Sequence, residues 1–122
     1  MKHLPAIKIE IIPHNKQRYD TAGDYLKADS KGWLFRISQM NADAEFLVLI
    51  HELIEWYLTQ KKDITEQEIT DFDIKSGHPD PGILKNAPYH KQHMIAVKME
   101  KMLAKILKID WKTYDASFDK LR

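Results

Sequence analysis

Three residues whose side chains can bind a metal lie close together in an otherwise apolar stretch. His51, Glu52 and Glu55 interrupt the segment 46–58, in which most other residues are apolar. In a helix, His51 and Glu55 would lie one turn apart on the same face, with Glu52 beside His51. Burying two neighbouring carboxylates without a counter-charge is costly, so a divalent cation or a basic side chain must compensate them.

The spacing of these residues is close to that of a known metal-binding helix. In His-Glu-x-x-His helices, the two histidines bind zinc and the glutamate between them is the general base. Here Glu55 takes the place of the second histidine, and a carboxylate is a legitimate zinc ligand in sites with two His and one Glu. The pattern predicts that His51 and Glu55 bind zinc, or another divalent metal, with Glu52 as the base. A second histidine should come from another element.

A long predicted helix over about 87–107 offers this histidine. His93 shares one helical face with Ala96 and Glu100, and the small Ala96 would let two helices approach closely. We predict His93 as the third ligand because it lies deeper in the helix than His90. Glu100 would accept a hydrogen bond from a ligand histidine. His90 is an alternative metal ligand, or a proton carrier at the rim of the metal site.

Two further acids flank Phe72 near the end of another predicted helix. Asp71 and Asp73 are either exposed acids at a helix end or a source of one more functional carboxylate. In the second case, Asp71 would orient His51 or His93, or contribute to a second metal.

The elements that would position these residues follow from periodicity and capping signals. Strands are predicted at 6–12, where Ile7, Ile9 and Ile11 form a half-buried face, and at 33–38, with a short strand near 24–27 as its hairpin partner. Four helices follow in the sequence, with a Pro-rich loop over 76–88: from Asn41 or Asp43 to about 60, from Thr65 to about 75, over about 87–107, and over 110–121. The first helix is apolar nearly all round, which predicts burial on most sides.

Strands first and helices after predict an α+β fold, in which a small N-terminal sheet of two or three strands packs on about four helices. The length of 122 residues fits one domain, 1–122. A net charge of +1, from 19 basic and 18 acidic residues, argues against nucleic acid or an anionic membrane as partner. With no cysteine, no signal-peptide pattern and no spanning apolar run, the chain is expected to be cytoplasmic.

Several segments, in the same order over nearly the whole chain, resemble a family of small uncharacterised proteins that are often phage- or prophage-associated. They are 17–25, 51–55, 71–73, 87–100 and 110–114. This resemblance implies no function. On His51, Glu52 and Glu55 alone, the chain also resembles zincins, particularly small gluzincin-like domains. That resemblance implies an edge strand beside the site helix, along which an extended substrate could lie, and 33–38 is the candidate. Zincins have His where this chain has Glu55, and the added negative charge lowers the Lewis acidity of the metal.

Three functions follow as hypotheses. The first is a zinc-dependent hydrolase acting on a peptide or amide bond of an unidentified peptide or small molecule. The second is a magnesium-dependent, all-α nucleotide pyrophosphohydrolase, which Glu52-x-x-Glu55 fits in part, whereas His51 and the strands count against it. The third is a non-enzymatic phage accessory or host-binding protein, in which the cluster is a structural metal site or a buried ion pair with Arg18 or Arg36.

Overall fold

A computed structural model describes residues 1–121 and confirms the α+β class, with strands first and helices after. The strands are β1 (Ala6–Ile12), β2 (Gly23–Lys27) and β3 (Gly32–Ser38). The helices are α1 (Ala42–Lys61), α2 (Glu66–Ser76), α3 (His90–Ile106) and α4 (Trp111–Ser117). Short 3-10 turns cover His14–Lys16, Pro81–Ile83 and Phe118–Leu121.

The three strands form a mixed sheet in the order β1-β3-β2. β2 and β3 pair in antiparallel fashion, which confirms the predicted hairpin, and β1 pairs parallel with β3. The expectation that 33–38 is an edge strand is therefore wrong. Both of its sides are already hydrogen-bonded to neighbouring strands, so an extended substrate cannot pair with it.

One face of the sheet carries the aromatic part of the core. Trp33, Phe35 and Ile37 alternate along β3 onto this face, and all three are buried. The ring of Trp56, from α1, meets Trp33 and Phe35 edge-on at centroid distances of 5.7 and 5.6 Å. Tyr25 of β2 packs beside Phe35 at 5.8 Å. This aromatic packing places α1 directly across β2 and β3.

The edge strand β1 is less buried than its sequence predicts. Ile9 and Ile11 are 44% and 42% exposed, and of the three alternating isoleucines only Ile7 packs against the core. The register places all three on the core face. Helix α1 covers the other two strands and leaves part of the edge strand open.

Helix α1 is also less buried than expected. Its N-cap is Asn41, whose side chain accepts a hydrogen bond from the Ala44 amide. Phe46 and Tyr57 are 45% and 40% exposed, so the expectation of burial on most sides is wrong. The buried residues follow one stripe instead: Ala44, Leu47, Val48, His51, Glu55, Trp56 and Thr59. The two candidate ligands of this helix therefore lie on its most buried side.

The remaining helices close the space around α1. Helix α2 begins at the predicted capping box of Thr65 and Glu68. Helix α3 packs against α1 and buries two alanines, Ala96 and Ala104, which lets the two backbones come close. Helix α3 begins at His90, slightly later than predicted. Within residues 1–121, no helix combines the length and the apolar character needed to cross a membrane.

Candidate metal centre

Two histidines and a glutamate meet between α1 and α3. The Nε2 atom of His51 lies 3.0 Å from Oε2 of Glu55 and 3.2 Å from Nδ1 of His93. The Nδ1 atom of His93 lies 2.9 Å from the same Glu55 oxygen. The structure therefore brings together the three residues predicted as ligands, and all three are buried.

This triangle of atoms has the dimensions of one face of a metal coordination shell. Zinc bound tetrahedrally at 2.0–2.1 Å would hold its ligand atoms about 3.3 Å apart, a few tenths of an ångström wider than the distances here. A single ion above the triangle would contact both imidazole nitrogens and the carboxylate oxygen. Nitrogen and oxygen donors in this mixture suit zinc and other first-row transition metals. The buried group His51, Glu55 and His93 could thus hold a metal ion.

Two of the three residues are oriented by further hydrogen bonds. The Nδ1 atom of His51 lies 2.7 Å from Oε1 of Glu100, and the Tyr114 hydroxyl donates to the other Glu100 oxygen. The Tyr25 hydroxyl donates to Oε1 of Glu55 at 2.9 Å. Each contact occupies the atom that faces away from the triangle, so Nε2 of His51 and Oε2 of Glu55 remain available to a metal.

A loop before α3 fixes the ring of His93. Its Nε2 atom lies 3.2 Å from Oδ1 of Asp80, although without hydrogen-bond geometry. The backbone of Gly82 packs directly against the ring and leaves no room for a side chain, because a Cβ at that position would be 2.3 Å from the His93 Cγ. His90 donates from Nδ1 to the Gly82 carbonyl at 2.9 Å. His90 thus holds the loop that covers His93 and is not part of the triangle.

Opposite charges hold the cluster together. Burial lowers the pKa of His51, but hydrogen bonds to Glu100 and Glu55 outweigh it and hold that pKa well above its usual value. Likewise, burial opposes charge on His93, and Asp80 and Glu55 nevertheless raise its pKa to about 9. Burial raises the pKa of Glu55, but the two histidines bring it down to about 2. A metal that binds here must displace protons from the imidazoles.

Glu52 lies beside the triangle and is partly exposed. A Cβ on Gly23 would be 2.6 Å from the Glu52 Cγ, so this glycine makes the room that the side chain occupies. Burial, followed by the charge of Glu55, raises the pKa of Glu52 well above its usual value. Among residues 1–121 its carboxylate has no hydrogen-bond partner. Within the described residues, Glu52 is therefore the carboxylate of the site that is not engaged in a hydrogen bond.

The cluster opens on a cavity of about 820 Å³, which His51, Glu52, Glu55 and His93 all line. This volume lies within the range of small-molecule binding sites. The cavity continues past α2, where Asp73 lines its wall.

The structure separates the two acids that flank Phe72. Asp73 accepts hydrogen bonds from the hydroxyls of Tyr19 and Tyr89, and burial raises its pKa to about 6. Asp71 is exposed and accepts a hydrogen bond from Gln67 of its own helix at 2.7 Å. The expectation that Asp71 orients a ligand histidine is therefore wrong, because it lies on the outer face of α2. Of the two acids, Asp73 is the one that faces the cavity.

The two arginines proposed as counter-ions have other partners. Arg18 binds Asp24 at 2.8 Å and Glu66 at 2.8 Å, which ties β2 to α2. The Nε atom of Arg36 lies 3.8 Å from Glu10 on the neighbouring strand. The hypothesis of a buried ion pair between the cluster and Arg18 or Arg36 is thus wrong. The positive charge that compensates the buried Glu55 carboxylate comes from the two histidines of the cluster itself.

Four residues of the site were not predicted from the sequence. Tyr25, Tyr114, Asp80 and Gly82 come from separate segments, and their roles depend on tertiary contacts. No protein-family model, curated protein or solved structure matches the chain. The resemblance to phage-associated proteins and to zincins therefore remains a prediction.

Proposed function

We propose that the chain is a zinc-dependent hydrolase that cleaves a peptide or amide bond. In this proposal His51, Glu55 and His93 hold the zinc ion, and Glu52 is the general base. One observation carries it: three buried ligand atoms, 2.9 to 3.2 Å apart, face a cavity that Glu52 also lines.

Zinc, when bound, would supply a water of lowered pKa and polarise the substrate carbonyl. Glu52 would accept the proton of that water and deliver it to the leaving nitrogen, because its carboxylate has no hydrogen-bond partner within residues 1–121. Tyr25 and Glu100 would keep Glu55 and His51 fixed, so that the ligand atoms need not reorganise during the reaction.

The cavity supports a catalytic site over a structural one. Structural zinc sites have four protein ligands and a closed shell, whereas catalytic sites have three and keep one position open. Here the cluster offers three ligands and adjoins a space of about 820 Å³. The two imidazoles also count against magnesium, which prefers oxygen ligands, and hence against the pyrophosphohydrolase alternative.

Metal analysis of the purified protein tests the site. Wild-type protein should bind about one equivalent of zinc, and His93→Ala should lose it. His3→Ala is the matched control, because His3 is an exposed histidine that precedes β1 and is not part of the site; it should keep the metal. A wild-type protein that binds no zinc and is equally stable in chelator would reject the site.

Measurement of catalytic turnover tests the role of Glu52 as the general base. Glu52→Gln should keep zinc but lose hydrolysis of a library of peptides and acylated amino acids, by a factor of about 10²–10⁴. Asp71→Asn, which changes an exposed acid outside the site, is the control and should retain activity. Normal turnover in Glu52→Gln would reject the assignment. Magnesium-dependent hydrolysis of nucleoside triphosphates would reject the reaction class.

A further inference from the structure

Helix α3 carries a row of large apolar side chains that the rest of the described chain leaves uncovered. Ile95, Met99, Met102 and Ile106 are 48%, 42%, 50% and 73% exposed. They follow one another at intervals of four, three and four residues, which is the spacing of a coiled-coil seam. Single exposed apolar residues are ordinary on protein surfaces, but a continuous row on one helix is typical of an interaction site.

The core does not use this row, which we call the α3 seam. The residues that α3 buries are His93, Ala96, Glu100 and Ala104, and they lie on another face of the helix. That face contributes a candidate ligand and packs against α1. Helix α3 therefore has two faces suited to packing, and within residues 1–121 only one of them is filled.

A row of positive charge runs beside the seam. Lys91, Lys98 and Lys105 recur every seven residues, so they stack along a single flank of it, and all three are exposed. None of them has an acidic partner among residues 1–121. The one acidic residue of α3 is Glu100, which is buried against His51. This surface thus combines a narrow apolar stripe with uncompensated positive charge.

We infer that the α3 seam docks an amphipathic helix of a partner protein, with apolar residues along one stripe and acidic residues that face the lysine row. A second copy of α3 has no exposed acid to offer, so its seam would meet the lysines without compensation. An anionic membrane is disfavoured because the lysines flank one side alone and the seam has no aromatic residue to insert. This inference is independent of the metal site.

A synthetic acidic helix is the probe for this surface. It has four heptads with Ile and Leu on the apolar stripe and Glu on both flanks, whose mutual repulsion at neutral pH keeps the peptide from pairing with itself. Fluorescence anisotropy should show that wild-type protein binds the labelled peptide. The double variants Met99→Asp/Met102→Asp and Lys98→Glu/Lys105→Glu should each weaken this binding about tenfold or more. Lys98→Glu/Lys105→Glu should recover affinity for a peptide with Lys in place of Glu.

Ile74→Asp is the matched control, because Ile74 is 60% exposed on α2, away from the seam. It should bind the acidic peptide as wild type does. Circular dichroism establishes that each variant is folded, which is expected because every changed side chain is exposed. Failure of wild type to bind the peptide, or equal binding by the seam variants, would overturn the inference. Preferential binding to phosphatidylserine vesicles, or a dimer of the protein that Met99→Asp dissociates, would assign the surface to another partner and also overturn it.

Discussion

Replacing Glu100 with glutamine tests whether the carboxylate behind His51 contributes to metal binding. Glu100 is 6% exposed, and its Oε1 atom lies 2.7 Å from Nδ1 of His51. Glutamine has nearly the same shape, keeps a carbonyl oxygen for the His51 N–H, and can present its amide to the Tyr114 oxygen. The substitution therefore removes the negative charge and leaves the packing almost unchanged.

The expected loss follows from the role of such partners in metal sites. A carboxylate on the far nitrogen of a ligand histidine sets the tautomer and raises the basicity of the metal-binding nitrogen. Loss of this partner typically weakens metal affinity about 10- to 100-fold, or about 1.4–2.7 kcal/mol. Glu100→Gln should weaken zinc binding within this range, and zinc should then raise the free energy of unfolding by a correspondingly smaller amount.

Competition with a chromophoric chelator measures the affinity, and thermal unfolding with and without zinc measures the linked stability. Tyr114→Phe is the control, because it removes one hydrogen bond to Glu100 and retains the charge. Its effect on affinity should stay below about tenfold. If Glu100→Gln binds zinc as tightly as wild type, or no more weakly than Tyr114→Phe, the orienting role of the Glu100 charge is refuted.

Two further outcomes are expected. Gly82→Ala should push the His93 ring aside, because the new Cβ would be 2.3 Å from its Cγ, and weaken zinc binding more than tenfold. Gly77→Ala is the control: Gly77 has a φ of 62° and open space around it, so this change should cost about 1 kcal/mol of stability and leave zinc affinity unchanged. If Gly82→Ala and Gly77→Ala changed zinc affinity equally, this reasoning would be contradicted. Burial raises the pKa of the Asp73 carboxyl from 3.8 to about 6. The folded state therefore binds the carboxyl proton more tightly than the unfolded chain does, and the free energy of unfolding falls as pH rises from about 4 to 6. In chelator, the free energy of unfolding of Asp73→Asn should therefore rise relative to that of wild type by up to about 3 kcal/mol across this pH range. A difference between the two proteins that stays constant with pH would count against a raised pKa of this buried carboxyl.

Much of the fold follows from local patterns in the chain. Thr65 and Glu68 satisfy each other's backbone amides through contacts three residues apart, so the start of α2 is legible without tertiary information. The β2–β3 hairpin is equally local, because its strands are separated by a short polar turn. The order of strands then helices was sufficient to predict the α+β class.

Burial was harder to predict than the elements themselves. Ile9 and Ile11 have the alternation of a half-buried strand, yet they are exposed because β1 is at an edge of the sheet and α1 covers β2 and β3 instead. Strand 33–38 has the composition of a strand but no feature that distinguishes an edge from a centre. Strand order depends on pairings between distant segments, and a local pattern carries no information about them.

The same division applies to the candidate metal centre. The sequence by itself determined that His51 and Glu55 share a helical face and that His93 shares one with Glu100, since a helix brings residues three or four apart together. Only the tertiary structure decided that these two faces meet, and that Nδ1 of His93, not Nε2, points to Glu55. The packing of α1 against α3 and the loop over His93 set that geometry. Such contacts join residues about forty positions apart, where helical periodicity has no influence.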